Sequence, residues 1–128
     1  MKKVIQIQLF LTVILLLSCG RWSDNIKLST KSAEFSCLGD SIVVTTKGTS
    51  WWLSEIKING TAFYDFQGID VLSDNYLIKH DFVTFQRRDR NTMFIKLDPN
   101  PLSVNRIVTI ELEAGDYFDR VTITQKRK

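Results

Sequence analysis

From Leu28 onward the apolar residues recur at every second position in short runs, and no stretch carries the spacing of an amphipathic helix. The alternation is clearest near the C-terminal end. Val108, Ile110 and Leu112 share one phase and Thr109, Glu111 and Glu113 the other, and Val121 and Ile123 then alternate with Arg120, Thr122 and Thr124. This predicts two strands, Arg106 to Glu113 and Arg120 to Thr124, turning around Gly115-Asp116, with one dry and one wet face. A second hairpin is expected from Phe82 to Arg87 and Thr92 to Leu97, around Arg88-Asp89-Arg90-Asn91. Upstream, the β-branched run Ser41 to Thr46 is opened by Gly39-Asp40 and closed by Gly48. The run Trp51 to Ile58 stops at Asn59-Gly60, a strong turn dipeptide. Asp98-Pro99-Asn100-Pro101 breaks the strand pattern and marks a crossing loop. Six or seven short strands with turn signals between them predict an all-β antiparallel sandwich or small barrel.

Two places resist this reading. Gly60 to Lys79 scatters Phe63, Tyr64, Phe66 and Tyr76 among turn residues. It fits an irregular strand plus a long loop, or an aromatic flap closing one end of the core. In Trp51-Trp52, a regular strand sends the two rings to opposite faces. Trp52, in phase with Ile56 and Ile58, is the expected core residue, and Trp51, in phase with Glu55 and Lys57, is expected to be partly exposed. The competing expectation is that Leu53 draws Trp51 into a second small cluster under the 60–79 segment.

The first residues follow another pattern. Met1-Lys2-Lys3 is a positive start, and Val4 to Leu17 is an apolar run broken by Gln6, Gln8 and Thr12. The run is shorter than the roughly 20 residues of a permanent span and has the parts of a secretory signal peptide, expected over 1–18. The 17 basic residues less Lys2 and Lys3 are 15, against 14 acidic, so the exported part is close to neutral and carries no nucleic-acid footprint. Its remaining basic runs, Arg87-Arg88-Asp89-Arg90 and Lys126-Arg127-Lys128, read as solvated turn tips or ends. Residues 20–27 show little periodicity and suit a short tether.

Leu16-Leu17-Ser18-Cys19 resembles the lipobox of bacterial lipoproteins. The resemblance implies that Cys19 becomes the first mature residue, carrying a thioether-linked diacylglycerol and an N-acyl chain. Several acyl chains anchor stably where one holds only marginally. With Cys19 acylated, Cys37 has no partner for an intramolecular disulfide, and its place beside a strand suits a small buried hydrophobe. The resemblance implies a lipid-anchored protein of the bacterial cell envelope, at the outer membrane. Residues 20–25 lack a strongly acidic export run, so its periplasmic and surface faces both stay open here.

The domain over 28–128 resembles the BACON-like domains of envelope lipoproteins and glycan-degrading enzymes of gut bacteria. The residues that carry the likeness come in order. Ala33-Glu34-Phe35-Ser36 is followed by Gly39, then Ile42 to Thr46, then Trp51-Trp52. Asn100 and Asn105-Arg106 precede a β-rich run, and the closing Val121-Thr122-Ile123-Thr124-Gln125 is the most characteristic piece. The longer stretch between the Trp pair and the Phe82 strand departs from the usual pattern. The resemblance implies an immunoglobulin-like sandwich of about seven strands, no enzymatic activity, and binding to carbohydrate or mucin.

Catalytic chemistry is thinly supplied. His80 is the single histidine, there is no Gly-x-Ser-x-Gly, and one His with one free Cys makes no ordinary zinc site. Most of the acids fall in turns or on outward strand phases. Asp116 and Asp119 are explained by turn chemistry rather than by calcium. Neither enzyme nor cofactor nor metal is expected. The expected role is a lipid-anchored binding module for a glycan or an envelope protein, with Trp51, Phe63, Tyr64 and Tyr76 as the candidate sugar platform. The alternative is a structural spacer or accessory subunit of a surface complex.

Overall fold

The computed structural model describes residues 25–128; the expected signal peptide, Cys19 and the start of the expected tether lie outside the described residues. Nine strands are present: β1 (Ser32–Phe35), β2 (Asp40–Thr45), β3 (Trp52–Ile58), β4 (Thr61–Phe63), β5 (Tyr76–His80), β6 (Val83–Arg87), β7 (Thr92–Leu97), β8 (Arg106–Ala114) and β9 (Tyr117–Gln125). They form a five-stranded sheet in the order β1-β9-β8-β3-β4 and a four-stranded sheet in the order β2-β7-β6-β5. All pairs are antiparallel except β1 with β9, which run parallel from Ser32–Thr122 to Phe35–Gln125.

The alternation read from the sequence is what builds the core. Val108, Ile110, Leu112, Val121 and Ile123 are fully buried on the inner face of the larger sheet. Val44, Ile78, Val83, Phe85, Met93 and Ile95 meet them from the smaller one. Thr109 and Thr122 face outward as a cross-strand pair, and Glu111 lies beside Arg120. Cys37 is half-buried rather than a core residue.

Turns follow their residues. Asn59 and Gly60 both take positive φ, 47° and 86°, as a type I′ hairpin turn requires, so the dipeptide joins β3 to β4 instead of merely ending a strand. Gly39 lies where a Cβ would come within 2.7 Å of the Leu97 carbonyl, so only glycine lets the β1–β2 crossing pass this close to β7.

The 60–79 segment contributes two strands rather than one. β4 forms one edge of the larger sheet, and β5 forms one edge of the smaller. β5 turns into β6 through Asp81-Phe82, with Asp81 at φ 53°. Residues 64–75 bridge the two sheets at this side.

The sandwich has two poles. At one, Ile26 and Leu28 enter, held by the Lys47 amide on the Ile26 carbonyl, the Leu28–Thr46 bridge and the Leu28 amide on Asp119. At the other, the chain ends, with the Lys128 amide on the Leu102 carbonyl. Asn100 pins the crossing loop there: its side-chain amide donates to the Val104 and Lys126 carbonyls, while its backbone amide donates to Cys37.

Candidate functional site

The local event that shapes the candidate site is a bulge in β3. Leu53 pairs with Leu112 and Glu55 with Glu111, so Ser54 is an extra residue. An inserted residue reverses the phase of everything beyond it. Trp51 and Leu53 therefore point inward on one side of the bulge and Ile56 on the other.

The two tryptophans exchange the roles that strict alternation gives them; Trp51 goes inward with Leu53, as the competing expectation has it, but into the main core rather than a second small cluster. Trp51 is 2% exposed and belongs to the core, while Trp52 lies half-buried on the outer face. The Trp51 indole donates to Thr46 Oγ1 at 2.9 Å, and the Arg87 guanidinium lies 3.8 Å over its ring.

Arg87 is likewise not a solvated turn residue. It is 1% exposed, on the inward phase of β6. Its guanidinium donates to the carbonyls of Trp51, Thr49, Ser73, Asp89 and Arg90, which gathers three loops at the entry pole. No carboxylate pairs with it among the described residues. Burial pulls its pKa down from the ordinary arginine value, yet a guanidinium holds its proton through the whole physiological range. The positive charge is accommodated by carbonyl dipoles and a ring face. The neighbouring Asp89 is held below the usual carboxylate range chiefly by the Asn91 amide, 2.7 Å from its oxygen.

The four rings expected to form a sugar platform are thus dispersed. Trp51 is in the core. Tyr76 is buried too, its hydroxyl accepting from the Leu53 amide, and burial pushes its phenol up. Phe63 is half-buried and stacked on His80 with ring centroids 3.6 Å apart, and the Phe66 ring stands nearly perpendicular to it at 5.3 Å. This stack closes the open side of the sandwich, because Phe63 belongs to β4 and His80 to β5. Only Tyr64, 73% exposed, offers a free ring. Beside it Phe63, Phe66, Ile69 and Lys79 line a shallow depression of about 390 Å³.

A different group of aromatics does share one surface. Trp52 on β3 pairs with Glu113 on β8, and Glu113 pairs with Phe118 on β9, so the three side by side form one row on the outer face of the larger sheet. Two strand spacings separate the rings, roughly 10 Å. Phe118 is 51% exposed, and Tyr117 at the adjoining turn is exposed as well. The next row is Glu55, Glu111 and Arg120, with Arg120 paired to Glu111 at 3.3 Å and Lys57 to Glu55 at 3.2 Å. No ion pair or hydrogen bond engages Glu113 among the described residues. The result is a carboxylate between two rings on a flat sheet face, backed by a neutralised polar row.

Neither the known protein-family models nor the curated proteins contain a match to this sequence. Two of the solved structures similar in fold illustrate the likeness. An NMR structure of a protein from Bacteroides thetaiotaomicron has a TM-score of 0.67 at 19% identity, covering 86% of this chain and 93% of that one. Titin domain M7 has a TM-score of 0.50 at 10% identity, covering 85% of this chain and 99% of that one. The chain is an immunoglobulin-like β-sandwich. Such a sandwich hosts many unrelated functions, so the fold by itself assigns none.

Sequence reasoning missed this row for two reasons. Phe118 falls in the outward phase of Arg120, Thr122 and Thr124, but a last strand that begins at Arg120 leaves it in the turn. The bulge inverts the phase of Trp52, and its trace is the spacing of Trp51, Leu53, Ile56 and Ile58, which steps by two, then three, then two. Among the described residues no three of His, Cys, Asp and Glu are placed to hold a metal ion.

Proposed function

We propose that the chain is a lipid-anchored module of the bacterial envelope, of the BACON-like kind. In this reading it binds a glycan, without catalysis, on the outer face of its larger sheet. The observation that carries this reading is the Trp52–Glu113–Phe118 row. Rings fixed on strands present rigid apolar planes to the C–H faces of sugar rings, and a carboxylate between them accepts hydroxyl hydrogen bonds. The lipobox-like Leu16 to Cys19 supports the anchor. Seven residue steps from Cys19 to Ile26 span at most about 25 Å, so the entry pole would stay near the lipid headgroups.

The anchor is tested by metabolic labelling with a fatty-acid probe. Cys19→Ala is expected to abolish labelling and to release the protein into the soluble fraction; unchanged labelling would remove the anchor from this reading.

Binding is tested on a glycan array that includes mucin. Trp52→Ala and Phe118→Ala should each weaken retention about tenfold, the range of one lost stacking contact of 1–2 kcal/mol. Their melting temperatures should stay close to that of the parent. A parent that retains no glycan would favour the spacer or accessory-subunit reading instead.

A further inference from the structure

The outer face of the smaller sheet has a different character. Val43 pairs with Phe94, Phe94 with Gln86, and Gln86 with Leu77, so one cross-strand row runs across all four strands with three apolar members. Val43 and Leu77 are 48% and 55% exposed. On one side of this row lie Lys96 and Lys79, which both pair with Thr84. On the other lies Arg88, its guanidinium 4.4 Å over the Phe94 ring and its Nε donating to Gln86 Oε1. The outward phase of these four strands holds no carboxylate, the nearest acids to Lys96 being Asp40 and Asp98 at the strand ends, and no ion pair engages Lys79, Lys96 or Arg88 among the described residues.

Outward strand faces of a sandwich ordinarily mix both signs of charge. Here an apolar strip is flanked on both sides by unpaired cations, in a domain whose total charge is close to zero.

We infer that this face binds an acidic polysaccharide, one bearing sulfate or uronate groups, with pyranose C–H faces along the Val43–Phe94–Leu77 strip and anionic substituents on Lys79, Lys96 and Arg88. Charge complementarity selects this occupant. A second copy of the chain offers little to match it: on the outer face of its larger sheet Glu34, Glu55 and Glu111 are already paired with Lys126, Lys57 and Arg120, which leaves Glu113 alone against three cations. The strip, four strands wide, suits an extended polymer. Arg88 is held in place by stacking and a hydrogen bond, which reduces the ordering cost on binding. This face is separate from the Trp52–Glu113–Phe118 row and does not depend on it.

The test is retention of the full acylated chain, in non-ionic detergent, on immobilised heparin compared with neutral dextran. The parent should be retained by heparin alone at low salt and released as salt rises, because exposed charges are screened over a Debye length of about 10 Å at 0.1 M. The double variant Lys79→Glu/Lys96→Glu should weaken retention about tenfold or more, and Phe94→Ala should weaken it too. The control pair Lys126→Glu/Arg127→Glu, just beyond β9 of the other sheet, and Trp52→Ala should leave it unchanged.

The inference is overturned if the parent is not retained, or if the control pair reduces retention as much as the test pair does. It also fails if phosphatidylglycerol vesicles bind this face in preference to heparin, which would make its partner a lipid surface. Because Trp52→Ala reads only the other face, failure of the glycan reading and failure of this one give different results.

Discussion

Replacing Arg87 with methionine is expected to lower the unfolding free energy by about 4 kcal/mol, a large share of the 5–15 kcal/mol that holds an ordinary domain together. Methionine fills much of the same space and fits beside Trp51, so the loss is not one of packing. It arises because the five carbonyls that Arg87 serves are backbone groups, which no partner substitution can remove. The Trp51 carbonyl in particular is buried and would be left without a donor. Arg87→Lys should recover only part of the loss, since one ammonium cannot reach acceptors on three loops at once. Urea unfolding followed by fluorescence measures both variants. In a domain of this size the methionine variant should melt roughly 20 °C lower. A loss below 1 kcal/mol would mean that the three loops hold their positions without the guanidinium.

Trp51→Ala should cost about 3–5 kcal/mol, as other large core truncations do. Trp52→Ala, on the outer face, should cost less than 1 kcal/mol. This is the reverse of what strict alternation from Ile56 and Ile58 predicts. Trp51→Ala also removes the ring beneath Arg87 and the donor to Thr46. The Trp51→Ala and Arg87→Met losses should therefore fall short of additivity by about 1 kcal/mol in a double-mutant cycle, the scale of a buried cation–π contact. Equal costs at Trp51 and Trp52 would mean that the bulge does not fix the phase of β3.

These two residues also mark where the sequence stops being legible. β8 and β9 could be read because each long strand buries one face, so period two and burial coincide from Val108 to Ile123. The Asn59-Gly60 and Gly115-Asp116 turns could be read because their geometry demands those residue types. The bulge at Ser54 depends on how β3 must twist against β8, and the serine itself carries no mark of it. β4 is three residues long, too short for a period, and β5 turns into β6 without a glycine. Arg87 sits in a run of charges that resembles a solvated turn. Besides Asp89 and Arg90 in its own turn, its acceptors come from positions 38, 36 and 14 residues away, and nothing local announces those three. The candidate site was lost with the bulge: a single-residue phase error placed a core ring on the surface and a surface ring in the core.

The parallel pairing of β1 with β9 has a mechanical consequence. The chain enters at one pole and leaves at the other, and these two strands lie side by side in the same direction. Tension between an anchored N-terminus and a load at the C-terminus therefore first peels residues 26–29 from β2. It then slides β1 along β9 instead of unzipping it. In that geometry the hydrogen bonds from Ser32 to Gln125 are strained together rather than one after another, so the domain resists pulling along its long axis more strongly than across it.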